Sequence, residues 1–274
     1  KFVKVRASVV AHSKNMRENA DSVQDQASRL REWVRQQAGP KAGITTRRPG
    51  LVVVLGGRPG VGVTTLSANL AAALTAAGQR TVLLDMDLRS AGATQLCRVR
   101  ATESLAEVVL AGRTLREVVQ PGPGGIHVVP GIRPGLKLPD DCRYASQRIL
   151  DGLRGLASLA DVVVADVGSE LSPWTWALWR AAQSVLAVTT PDPDVLMDTY
   201  AVLKALTTQA GLAPVHLVVN RAGSEAEALD VYERVARTCL RFLALPVTRA
   251  GFIPADPRVE AAGLAQGLLW TWTP

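Results

Sequence analysis

A chain of 274 residues with 47% apolar content can bury one large core, so a single α/β domain with an appendage is the natural count. Cys97, Cys142 and Cys239 are far apart and show no CxxC or Cys/His spacing, so neither a disulfide framework nor a zinc site is supported, and no apolar run approaches the roughly 20 residues of a bilayer span. The formal charge of +7 is localised: residues 1–50 hold 11 Lys/Arg against 4 Asp/Glu, whereas residues 51–274 hold 20 of each. A basic arm of this kind suits an acidic or anionic partner, and equally a solvated tail.

Residues 1–18 lack a sustained period and read as a disordered or wrongly assigned leader, with Met16 a candidate start. Residues 19–38 predict a helix, with Val23, Ala27, Leu30 and Val34 on one stripe and Gly39-Pro40 ending it. Residues 39–50 read as a Pro/Gly/Thr/Arg linker, and 51–274 as one α/β domain. There a β-branched run (Val52, Val53, Val54) breaks into a loop holding Gly56, Gly57, Gly60 and Gly62, and Thr64, Thr65 and Leu66 open an Ala/Leu-rich helix to about Ala77. Strand, glycine loop and helix start form a phosphate cradle: backbone N–H groups converge on an anion where a Cβ would collide, and the helix terminus adds unpaired donors and a favourable dipole.

Further along, TVLLDMD (81–87) reads as a buried strand presenting Asp85 and Asp87 at its carboxyl end, where open α/β sheets place ligands. Residues 101–131 predict two short helices, a PGPGG turn and a strand; a helix over 144–156 leads to the strand DVVVADVGSE (161–170) bearing Asp166. Trp174, Trp176 and Trp179 follow on a helix, read as core ahead of interface. A strand and turn over 184–193, a helix over 195–209, a strand ending Val219-Asn220-Arg221, an amphipathic helix and the loop GFIPADPRVEAA (251–262) complete the core. After Arg258 no cation follows, so Trp270 and Trp272 lack the charged complement that a lipid-surface anchor usually needs.

The loop RPGVGVT resembles the deviant Walker A pattern K-G-G-x-G-K-T of the MinD/ParA family of P-loop ATPases. Arg58 holds the place of the signature lysine, Pro59 that of the first glycine, Val63 that of the phosphate-binding lysine and Thr64 that of the Mg²⁺-binding hydroxyl. The resemblance implies a three-layer, mostly parallel sheet of the P-loop NTPase type. It implies ATP or ADP as cofactor, held by Gly57, Arg58, Gly60, Val61, Gly62, Val63, Thr64 and Thr65, with Asn220, Arg221 and Pro254 about the adenine. Mg²⁺ falls to Thr64, Asp85 and Asp166, and the attacking water to Asp87. With both lysines missing, hydrolysis is expected to be weak or absent.

DQASRLR (25–31) matches the DQAxxLR motif that begins the flagellar-number regulators FlhG (FleN, YlxH). That resemblance assigns Asp25, Gln26, Ala27, Leu30 and Arg31 to contact with an FlhF-type GTPase, Gln26 acting at the partner's nucleotide. It implies a role in flagellar biosynthesis or placement, a nucleotide-dependent homodimer, and a cytoplasmic protein that can sit peripherally at the inner face of the membrane. GVGVTT also resembles the loops of the TadZ/CpaE pilus-localisation ATPases, the alternative, and a ParA-like DNA segregation factor stands third, with DNA not expected as a partner.

Overall fold

Gly50–Gly56 (GLVVVLG) form strand β1, buried along its whole length. Strand residues point alternately to opposite faces, and here both faces are covered: Leu51, Val53 and Leu55 enter one apolar core, Val52 and Val54 the other. A continuous hydrophobic run is what a central parallel strand requires. The computed structural model describes residues 48–136, 142–209 and 213–256, so the predicted helix with Asp25, Gln26, Ala27, Leu30 and Arg31, most of the linker, and Trp270 and Trp272 lie outside the described residues.

The other strands are β2 (Thr81–Asp85), β3 (Gln120–Pro121), β4 (His127–Val129), β5 (Val162–Asp166), β6 (Ser184–Thr189), β7 (Val215–Ala222) and β8 (Val247–Pro254). They lie in the order β3-β4-β2-β5-β1-β6-β7-β8, every pairing parallel except β3 with β4. The expected mostly parallel three-layer α/β fold is the fold observed. The loop reading of GFIP is corrected: Gly251–Pro254 continue β8, which absorbs the glycine (φ 148°) through a register shift opposite Leu217/Val218.

Helix α1 (Val63–Ala76) and the short α2 (Gly92–Leu96) cover one face. The other carries α3 (Leu105–Leu110), α4 (Leu115–Val118), α5 (Cys142–Gly155), α6 (Pro173–Ala181), α7 (Pro193–Gln209) and α8 (Glu225–Leu243). The two shortest of these, α3 and α4, would be marginal alone. Reciprocal capping boxes, Ser104 with Glu107 and Thr114 with Glu117, satisfy their first orphan donors. On α6, Trp174 and Trp179 are buried in the core and Trp176 packs partly against it. Among the described residues no helix is long and apolar enough to cross a membrane.

Candidate functional site

The carboxyl ends of β1, β2, β5 and β7 meet around the loop that follows β1. Gly60 (φ 84°) and Gly62 (φ 100°) take the left-handed conformation that L side chains disfavour, and Gly62 is the N-cap of α1 with no side-chain hydrogen bond capping the helix. The helix's first backbone bond runs from Leu66 N to Gly62 O, so the N–H groups of Val63, Thr64 and Thr65 stand ahead of it as terminal donors. A cradle for an anion is built into this backbone.

Gly57 lies against α7: a Cβ there would come within 2.4 Å of Thr199 N and 2.6 Å of the Asp198 carbonyl carbon, both rigid backbone. Gly57→Ala is therefore expected to destabilise the fold by about 2–3 kcal/mol, measured as a lowered denaturant midpoint at unchanged slope. Gly60→Ala meets no atom within 4 Å and should cost only the left-handed backbone penalty of about 1 kcal/mol.

Arg58 donates from Nε to Asp198 Oδ2 at 2.5 Å, a half-exposed ion pair within the chain, with Asp192 and Asp194 adding to the negative field on α7 and its approach. Asp198 raises the pKa of an already permanent cation, so the charge itself does not vary. Val63 is 6% exposed and belongs to the apolar core beneath the loop; its Cγ2 lies 2.7 Å from where a Cβ on Gly56 would stand. The residue at the phosphate-lysine position is thus a core residue.

The acidic groups gather opposite. Asp85 and Asp166 are register partners on β2 and β5, and both are fully buried. Asp85 Oδ2 accepts from Thr94 N at 2.8 Å and Thr94 Oγ1 at 2.6 Å, and its Oδ1 from Asp87 N at 3.3 Å. Asp166 Oδ1 accepts from Gly168 N at 3.2 Å, whereas Oδ2 has no partner of hydrogen-bond geometry among the described residues. Burial pushes the Asp85 carboxyl up to about 6 against the pull of Thr94, and burial and then the Asp85 charge push Asp166 up to about 7, eased by the nearby Thr64 hydroxyl. Asp87 is half-buried beside Gly168 and accepts from Arg89 N and Ser90 Oγ.

At the far side Asn220, on β7, donates from Nδ2 to Val61 O at 2.8 Å, and Arg221 N donates to its Oδ1 at 3.0 Å. Pro254 ends β8 opposite Ala222. The fold thus brings Gly57 to Thr65, Asp85, Asp87, Asp166 and Asn220 to one end of the sheet, with Arg221 and Pro254 at its β7–β8 margin. Sequence reasoning missed Asp198 and Thr94, and no local signal marked either.

Among the described residues no cluster of three or more His, Cys, Asp or Glu could hold a metal by itself. Mg²⁺ carried by a nucleotide fits better, because the orphaned, buried Asp166 Oδ2 beside Thr64 asks for a cation and the uncapped α1 terminus for an anion. Asp85, bound by Thr94, has its acceptor capacity largely engaged.

The model of the CobQ/CobB/MinD/ParA nucleotide binding domain (CbiA) matches residues 52–268. Antiactivator FleN of Pseudomonas aeruginosa is 31% identical over 212 residues, covering 77% of this chain and 76% of FleN. Flagellum site-determining protein YlxH of Helicobacter pylori is 26% identical, covering 67% and 62%. In fold, the chain is similar to septum site-determining protein MinD of Pyrococcus horikoshii, solved with Mg-ADP, at TM-score 0.62 and 21% identity over 80% of this chain and 87% of that one.

Proposed function

Because this chain belongs to the CobQ/CobB/MinD/ParA nucleotide-binding family, we propose that it binds Mg²⁺ with ATP or ADP at the α1 terminus and regulates flagellar assembly through a partner GTPase. The observation that carries the reading is the juxtaposition of a glycine-built, uncapped helix N-terminus with the orphaned carboxylate oxygen of Asp166 and the Thr64 hydroxyl. The amides of Gly60–Thr65 would hold the phosphates, Thr64 and Asp166 the metal, and Arg221 and Pro254 the base margin; Asp87 is placed to orient a water. When bound, the metal would spread and neutralise phosphate charge. Similarity to FleN and YlxH supports the flagellar assignment, and DQASRLR at 25–31 supplies the partner-facing segment, with Gln26 acting at the partner's nucleotide. Nucleotide-dependent pairing of two copies and a peripheral position at the inner membrane face complete the proposal.

Two measurements on the full chain test it. Calorimetric titration with ATP, ADP and GTP in Mg²⁺ should give adenine-nucleotide binding, and no heat at millimolar ATP would remove nucleotide from the proposal. The full chain should also raise GTP turnover of an FlhF-type GTPase, with the effect lost in Gln26→Ala. Equal turnover with and without the chain would remove the partner.

A further inference from the structure

The side chain of Asn220 spans 159 positions of sequence to reach the loop, and each of its polar atoms makes one hydrogen bond. At the end of β7 Arg221, itself left-handed (φ 58°), donates its N–H to Asn220 Oδ1 at 3.0 Å. That N–H needs an acceptor and Val61 O needs a donor, so the two partners together fix which amide atom is oxygen and which nitrogen. From the other side Gly62 leaves room for this: a Cβ there would stand 2.3 Å from Asn220 Nδ2.

Val61 O belongs to the planar, trans peptide unit whose N–H is that of Gly62, so holding the carbonyl toward Asn220 aims the Gly62 N–H the opposite way. No side chain caps α1, leaving this contact from β7 to set that peptide's direction just before the helix. Gly57 against α7 and the Arg58–Asp198 pair fix the loop's opening residues, but neither touches the 61–62 peptide.

We propose that Asn220 is a positioning residue for the phosphate cradle: by holding Val61 O it sets the orientation of the Gly62 N–H, so that affinity for a phosphate chain carrying no base depends on it. This rests on the reading of the loop as a phosphate site. One N–H and one lone pair of the amide remain for a base edge, so the same side chain couples the two ends of the site.

The test uses the full chain and the variants Asn220→Ala and Asn220→Asp. The aspartate keeps the acceptor for Arg221 and loses the donor to Val61, so in ligand-free exchange it guards against a general folding defect in the alanine variant; its added negative charge repels phosphate, so ligand affinities are compared in the alanine variant alone. Hydrogen exchange without ligand should be about tenfold faster at the amides of residues 60–65 in both variants and unchanged in β1 and β6. In Asn220→Ala, tripolyphosphate and ATP, titrated in Mg²⁺, should each lose about tenfold in affinity. Unchanged tripolyphosphate binding with weakened ATP binding would reduce Asn220 to a base reader and overturn the proposal, as would unchanged exchange in the loop. If the unaltered chain binds neither ligand, the phosphate reading itself fails, while the exchange data still decide whether Asn220 holds the loop.

Discussion

ATP turnover by the purified chain is expected to lie on the order of 10⁴-fold below that of a relative carrying both loop lysines, taking each of two lost contacts at about 3 kcal/mol of transition-state stabilisation. Phosphoryl transfer relies on positioning and charge neutralisation, so a cation missing from the cradle is not replaced by better packing. Val63 supplies packing alone, its side chain spent in the core under the loop. Arg58 retains a charge but holds it on Asp198, and its planar fork does not reproduce an ammonium. Pro59 removes a backbone donor where the family pattern has glycine. A phosphate-release assay on the unaltered chain and on Pro59→Gly/Val63→Lys checks this. Lysine at 63 restores the cation that the family pattern has at this position and glycine at 59 the backbone donor, so activity should appear in the double variant. Robust turnover by the unaltered chain, suppressed by Asp87→Ala, would overturn the expectation.

The parts of this site legible in the sequence are those whose physics is local. A β-branched run, glycines and a helix start within Gly50–Ala76 announce strand, cradle and helix, because each depends on neighbours a few residues away. Asp85, Asp87 and Asp166 were visible because a carboxylate ending an apolar strand has few structural uses. The contacts that shape the loop were not visible: Arg58 to Asp198 spans 140 positions, and no spacing rule links them. Likewise β8 hid behind Gly251 and Pro254, which read as loop residues until the bulge against β7 accommodates them, and β3 is two residues long. The core role of Val63 shows the limit most clearly. Sequence presents it as a missing lysine, and only the packing shows that the side chain at this position serves the core.

Asp166→Asn is expected to stabilise the nucleotide-free protein by ~3 kcal/mol at pH 8, an unusual outcome for a substitution at a fully buried polar residue. Two carboxyls that share a register position on adjacent strands cannot both ionise cheaply in the core; burial first, and for Asp166 then the Asp85 charge, raise both above the ordinary 3.8. With native values near 6 and 7 and an unfolded value near 3.8, the native state holds more protons than the unfolded chain between about pH 4 and 7. The pair's favourable contribution is therefore fully present below pH 4 and lost as pH rises through 6 and 7. Asparagine at 166 keeps an acceptor for Gly168 N and carries no charge, so the difference between variant and unaltered chain should grow from near zero at pH 4 to its full value at pH 8. Glu107 and Glu117, whose carboxyls are held below the ordinary range by their caps, shift both proteins alike and drop out of that difference. The same substitution removes the oxygen assigned to the metal, so the stabilisation by Mg²⁺ and ATP seen in the unaltered chain should shrink in the variant. Denaturant melts from pH 4 to 8, with and without ligand, measure both effects, and an Asp166→Asn protein less stable than the unaltered chain at pH 8 would show that the carboxylate is satisfied in a way its orphaned Oδ2 does not suggest.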